Sequence, residues 1–208
     1  MINSLLRGLP SKIRQMVPNG RKDCNLQAGL LFNMLEDERI VESFEQVYEE
    51  VFSILIRIAY HITGNADVAE ELTQEAFVKY ISRSVRIPTV EQSRYWLIRV
   101  VKNLCYNYVK RKGREGRAVD KIKGMPLLES RDGEQELLRK EKIETVQRAL
   151  LMMPLKLRTV LILKEYGQLT YKEIAGILKI TEGNVKVRVY RARASLEEIL
   201  NREDFDVS

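Results

Sequence analysis

The chain has 208 residues, with 35 Lys and Arg against 29 Asp and Glu, for a formal net charge of +6. Its length suits one or two domains, and 45% apolar residues suffice for packed cores. A single histidine, His61, and two distant cysteines, Cys24 and Cys105, leave no material for a His-based metal site or a catalytic cluster.

No catalytic residue, metal or cofactor is therefore expected, and an enzyme is disfavoured. The cysteine usage suits a reduced, cytoplasmic protein. No apolar run reaches the roughly 18 residues that a membrane span needs. Arg7 and Lys12 precede no h-region of the kind a secretory signal carries.

In chain order, residues 1–40 contain Pro10, Pro18 and Gly20, which break any long helix, and read as a flexible or partly helical extension. Residues 41–112 form a first helical domain. Within it, Phe44, Val47, Tyr48, Val51, Leu55, Ile58 and Ala59 have helical spacing over 41–63. Gly64 and Asn65 end that helix, and Asp67 with Glu70 resembles a capping box for a helix over 68–82. A loop over 83–92 leads to a long helix over 93–112.

Residues 113–134, with Gly113, Gly116, Gly124, Pro126 and Gly133, read as a linker. A second helical domain then spans 135–202. It opens with a helix to Met152, followed by one that starts at Pro154 and stops at Gly167. No strand pattern and no repeat appear, so the predicted fold is all-α: two helical domains joined by a flexible linker.

Charge is unevenly distributed. Between Asn33 and Glu75 eleven acids face only Arg39 and Arg57, whereas between Arg99 and Arg117 seven bases face only Glu115. The acidic block is either a solvated face or a docking face for a basic protein.

Residues 169–196 have the pattern of a helix-turn-helix. Thr170 and Glu173 form a capping box, Ile174, Ile177 and Leu178 make a buried stripe, Ala175 is small at the crossing, and Ile180 plugs the turn. Thr181 caps the second helix, whose Val185, Val189, Ala192 and Leu196 face the core. A parallel stripe of Asn184, Arg188, Arg191 and Ser195 can reach base edges early and phosphates late. The plain alternative is a helical hairpin with a solvated basic face.

The helix over 93–112 has an apolar stripe of Leu97, Val101, Leu104 and Tyr108 opposite a polar stripe of Arg99, Asn103, Asn107 and Lys110. Asn and Arg there suit bases and phosphates. Tyr95, Trp96 and Tyr106 can stack on unpaired bases, or Tyr95 and Trp96 can be core anchors.

Taken together these stretches resemble the extracytoplasmic-function (ECF, group 4) sigma factors of the sigma-70 family of bacterial RNA polymerase. Asp67 through Phe77 is similar to the family's polymerase-docking helix, Trp96 through Arg111 to its −10 helix, and Ala149, Leu150, Pro154 and residues 169–196 to its region 4. The match covers residues 44–200, in the family's order.

The resemblance implies a non-enzymatic promoter-recognition subunit. Its partners are core RNA polymerase, through the β′ coiled coil and β flap, promoter DNA both duplex and single-stranded, and an anti-sigma factor. It implies polymerase docking by Asp67, Glu70, Glu71, Gln74 and Glu75. The −10 element falls to Arg83, Arg86, Arg99, Lys102, Asn103, Asn107, Lys110 and Arg111, with the loop over 83–92 capturing a flipped base. The −35 element falls to Thr181, Asn184, Lys186, Arg188, Arg191 and Arg193, and the helix over 155–163 meets the β flap.

Lys179 stands where the family usually has Gly, at a cost of about 1 kcal/mol in a left-handed backbone. Asn184 and Val187 depart from the usual Thr and Ser, and Glu71 from the usual Asp. A stand-alone helix-turn-helix regulator and, from another class, a helical protein-interaction adaptor are the alternatives.

Overall fold

A computed structural model describes residues 38–85, 87–114 and 133–206. Seven helices and no strand make up the described residues. Most of the extension over 1–40, Cys24 and most of the linker over 113–134 lie outside them.

Helices α1 (Glu38–Thr63), α2 (Ala66–Ile81) and α3 (Val90–Arg114) form the first half. All seven apolar positions counted on α1 are buried. Phe44, Tyr48, Phe52 and Phe77 bring α1 and α2 together: Tyr48 stacks on Phe52 at 4.7 Å between centroids, and Phe44 meets Phe77 edge-on at 5.9 Å. Each such ring buried is worth roughly 1.5–3 kcal/mol.

Gly64 ends α1 at φ +74°, a conformation that favours glycine. The cap of α2 differs from the expected box. Asn65 is the N-cap, its side chain accepting the Val68 N–H at 3.0 Å, and Asp67 sits in the first turn. Asn65, with extended backbone two residues earlier, outcompetes Asp67, which here is already helical.

Helix α3 starts three residues before the expected Ser93, because Thr89 Oγ1 accepts the Gln92 N–H at 3.2 Å. It also runs two residues past Lys112, through Gly113. Leu97 and Val101 are fully buried, with Leu104 and Tyr108 packed beside them.

Helices α4 (Gly133–Met152), α5 (Leu155–Glu165), α6 (Tyr171–Leu178) and α7 (Glu182–Asp206) form the second half. Pro154 is the N-cap of α5, at φ −54°, so the helix begins at Leu155, one residue later than it would with Pro154 in its first turn. Val160, Leu161, Ile162 and Leu163 are all buried.

The two halves pack against each other, and one apolar cluster of buried residues spans both. At the seam, buried His61 of α1 donates from Nδ1 to Gln147 Oε1 of α4 at 2.6 Å, and Gln147 Nε2 donates to the Tyr60 carbonyl at 3.4 Å. The imidazole stacks on Tyr166 at 3.9 Å. Leu151 fills the space a side chain at Gly64 would need, with Cδ1 only 2.6 Å from an added Cβ. Arg94 of α3 donates to the Gly167 carbonyl at 2.6 Å.

Candidate nucleic-acid interface

The helix-turn-helix is built as the residues dictate. Thr170 Oγ1 accepts the Glu173 N–H at 3.2 Å, and Glu173 Oε2 accepts the Thr170 N–H at 2.7 Å, closing the capping box. The Thr170 hydroxyl also donates to Glu173 Oε2, at 2.7 Å, and this bond, followed by the one from the Thr170 N–H, holds the Glu173 carboxyl below the usual carboxylate range. Ile174 and Ile177 are buried, with Ala175, Leu178 and Ile180 packed against the core.

Lys179 caps α6 in the left-handed region at φ 55°, ψ 49°, its N–H donating to the Ala175 carbonyl. Thr181 then caps α7 by accepting the Asn184 N–H at 3.3 Å. Val185, Val189 and Ala192 are buried and Leu196 is partly so, which fixes the opposite face toward solvent.

That outer face carries Asn184, Arg191 and the less exposed Arg188. Lys186 pairs with Glu182 at 3.2 Å and Arg193 with Glu165 at 2.8 Å. Both are exposed pairs of small worth, easily exchanged for a phosphate. One side chain on this face escaped the sequence reading, Tyr190, 76% exposed; Val187, noted there only as a departure from the family pattern, is 46% exposed. The signal for Tyr190 was its register, directly after the buried Val189, rather than any charge.

On α3 the stripe of Arg99, Asn103, Asn107 and Lys110 is exposed along its whole length, and Arg111 follows. Lys102 differs. It is half-buried and donates to Asn103 Oδ1 at 2.6 Å, and burial, then Arg99, then Lys179 lower its pKa. Lys179 belongs to the turn of the second half, whose charge therefore reaches this side of α3.

The aromatic alternatives resolve toward packing for Trp96, which lies against the core beneath the Arg83 guanidinium at 4.6 Å. Tyr95 also packs against the core. Arg83 additionally donates to the Val85 carbonyl at 3.2 Å. Arg86 lies outside the described residues.

The acidic face of α2 presents Asp67, Glu70, Glu71 and Glu75 to solvent, with Gln74 half-buried and donating to Glu70 Oε1 at 3.2 Å. Glu75 pairs with Lys79 at 3.1 Å. The apolar side chains of α5 at 160–163 are core, and the exposed large hydrophobic side chain nearest that helix start is Met152, 63% exposed. Among the described residues no group of His, Cys, Asp or Glu could hold a metal ion, and no helix is long and apolar enough to cross a membrane.

An acidic helix, an amide-bearing basic helix and a helix-turn-helix on one all-α frame define a helical DNA-binding protein. Two family descriptions match it: Sigma-70 region 2 over residues 47–115 and Sigma-70, region 4 over residues 143–196. The RNA polymerase sigma factor YlaC of Bacillus subtilis (strain 168) is 28% identical over 170 residues, covering 81% of this chain and 96% of that protein. The ECF RNA polymerase sigma-E factor of Escherichia coli (strain K12) is 29% identical over 180 residues, covering 78% of this chain and 93% of that protein.

Among solved structures, the sigma factor RpoE in complex with the anti-sigma factor NepR from Bartonella quintana superposes with a TM-score of 0.60 at 25% identity. It covers 76% of this chain and 96% of that one. The chain belongs to the sigma-70 family, in its ECF group. It is a non-enzymatic sigma factor, which directs promoter-specific initiation by RNA polymerase.

Proposed function

We propose a division of labour among three surfaces, carried by residues 41–112 as region 2, 113–134 as linker and 135–202 as region 4. The α2 carboxylates Asp67, Glu70, Glu71 and Glu75, with Gln74, dock on the basic β′ coiled coil of core polymerase. Helix α3 reads and helps open the −10 element: Asn103 and Asn107 meet bases, while Arg99, Lys102, Lys110 and Arg111 hold phosphates. Arg83 and Arg86 belong to the loop over 83–92 that takes a flipped base.

Helix α7 enters the major groove at the −35 element through Asn184, Arg188 and Arg191, with Thr181, Lys186 and Arg193 on the backbone. Any flap contact falls to the α4–α5 corner around Met152 rather than to the buried face of α5. The protein works in the cytoplasm, where polymerase is, and is held in reserve by an anti-sigma factor. The solved RpoE–NepR complex, of a chain with the same fold, supports that last point.

The observation that carries this reading is the unbroken solvent exposure of Arg99, Asn103, Asn107 and Lys110 on a helix whose other side is core. Run-off transcription with core polymerase on a promoter library tests it. Transcripts should depend on the protein, and the Glu70→Lys, Glu71→Lys pair should abolish them by weakening core binding. Initiation indifferent to the protein would sink the reading.

A further inference from the structure

Helix α7 is least polar where it is farthest from the core. At about 100° per residue, Val187 and Ala194 point almost directly away from the buried Val185, Val189 and Ala192. Gly183 and Tyr190 lie to one side of that line, Asn184 and Arg191 to the other, and all six are exposed. Tyr190 is the most exposed large apolar side chain among the described residues. Single exposed apolar residues are ordinary, whereas here Gly183, Val187, Tyr190 and Ala194 form an unbroken row.

Charge borders this row without interrupting it. Lys186 and Arg193 stand on its Tyr190 side, each held by one exposed carboxylate, Glu182 at 3.2 Å and Glu165 at 2.8 Å. Arg188 and Arg191 stand on the other side. A cationic border suits the phosphates on the two walls of a groove, which leaves the apolar row facing its floor. A Cβ on Gly183 would meet nothing within 4 Å, so no neighbour in the folded chain requires glycine there. Its bare backbone lets the start of α7 come close to a surface outside the chain.

In the major groove only thymine offers an apolar group, its C5-methyl. The other bases offer donors and acceptors, which a valine would leave unpaired. We propose, and this rests on the reading of α7 as the −35 helix, that the Val187 methyls and the Tyr190 ring read thymine methyls. The −35 sequence of this protein then carries thymines, on either strand, at two nearby positions. Asn184 and Arg191 are left to the polar edges of neighbouring pairs. Val187 stands where the family usually has Ser, so this preference belongs to the chain rather than to its group.

The test uses the full chain assembled with core polymerase, on a promoter recovered from the run-off library. Each thymine of the −35 element is replaced in turn by deoxyuridine, which removes the C5-methyl and leaves every hydrogen-bonding edge in place. Promoter affinity should fall about fourfold at each of two positions, which is what burial of one methyl is worth. Val187→Ser should weaken the unmodified promoter by a similar factor and make uracil neutral at one of those positions. Tyr190→Ala should do the same at the other.

A recovered −35 element without thymine overturns the proposal at the outset. Uracil without effect at every −35 position overturns it too, as does a uracil effect that survives both substitutions undiminished. Lower affinity for core polymerase in Val187→Ser or Tyr190→Ala, or a changed mass by light scattering, would give the row to a protein partner or a second copy and end the thymine reading. Failure of the underlying −35 reading shows separately, as a promoter affinity indifferent to scrambling the whole element.

Discussion

Two residues hold conformations or environments that cost stability. Lys179 sits at φ 55°, where a side chain is strained and glycine is not. Lys179→Gly is expected to raise the unfolding free energy by about 0.5–1 kcal/mol in urea denaturation, less the entropy that glycine returns to the unfolded chain. Arg158 is 5% exposed; its guanidinium donates to the Leu151 carbonyl at 3.3 Å, and its Nε has no hydrogen-bond partner. Burial pulls its pKa down to about 10, which still leaves a buried cation at neutral pH. Arg158→Met keeps the volume and removes the charge, and should stabilise the protein by about 1 kcal/mol in the same assay. Destabilisation instead would show that the charge is better compensated than one long hydrogen bond implies. Cys105 is the opposite case: burial pushes its thiol up to about 12, so it is an inert core residue and no redox sensor.

At the scale of the element, most of the fold was legible because each helix carries its own instructions. The period of Phe44 through Ala59 gave α1, and the Thr170–Glu173 box and Thr181 cap gave the helix-turn-helix, all realised as bonds. Errors fell at boundaries, where a single side chain decides. Asn65 rather than Asp67 caps α2, and Thr89 starts α3 before Ser93. The site was legible where charge or amides mark it and illegible where shape does, as at Tyr190. Helix α7 therefore invites a test that separates its outer face from its buried one. Arg188 lies beside buried Val189 but points out of the core, so Arg188→Ala should cost little stability. It should weaken binding to a −35 duplex by roughly tenfold, within the range for loss of one base-edge arginine. Affinity for core polymerase, measured in parallel, should hold; a matched fall in both would remove Arg188 from the DNA interface.

At the scale of the whole molecule, the seam was the part that no local pattern announced. His61 and Gln147 are 86 positions apart, and neither is marked by period or motif. A lone histidine read as unremarkable turns out to join the halves. Its surroundings set the sign of a pH effect. Arg57 approaches from α1, Gln147 from α4, and Tyr166, with Glu165 beside it, from the end of α5. Burial, the largest influence, opposes the imidazolium, and Arg57 adds to it, whereas the bond to Gln147 works the other way; the net is a pKa below the usual 6.5. Once the halves part, the ring regains its ordinary value. The packed arrangement is therefore favoured in full above pH 6.5, and that advantage is lost as pH falls through 6.5 and on to the lower packed-state value. Scattering between pH 7.5 and 5 should show the radius of gyration rising on the acid side. His61→Gln, which keeps a neutral hydrogen-bonding side chain at the seam, should flatten that rise. A transition that persists in His61→Gln would assign the pH response to the carboxylates instead and leave His61 as a packing residue.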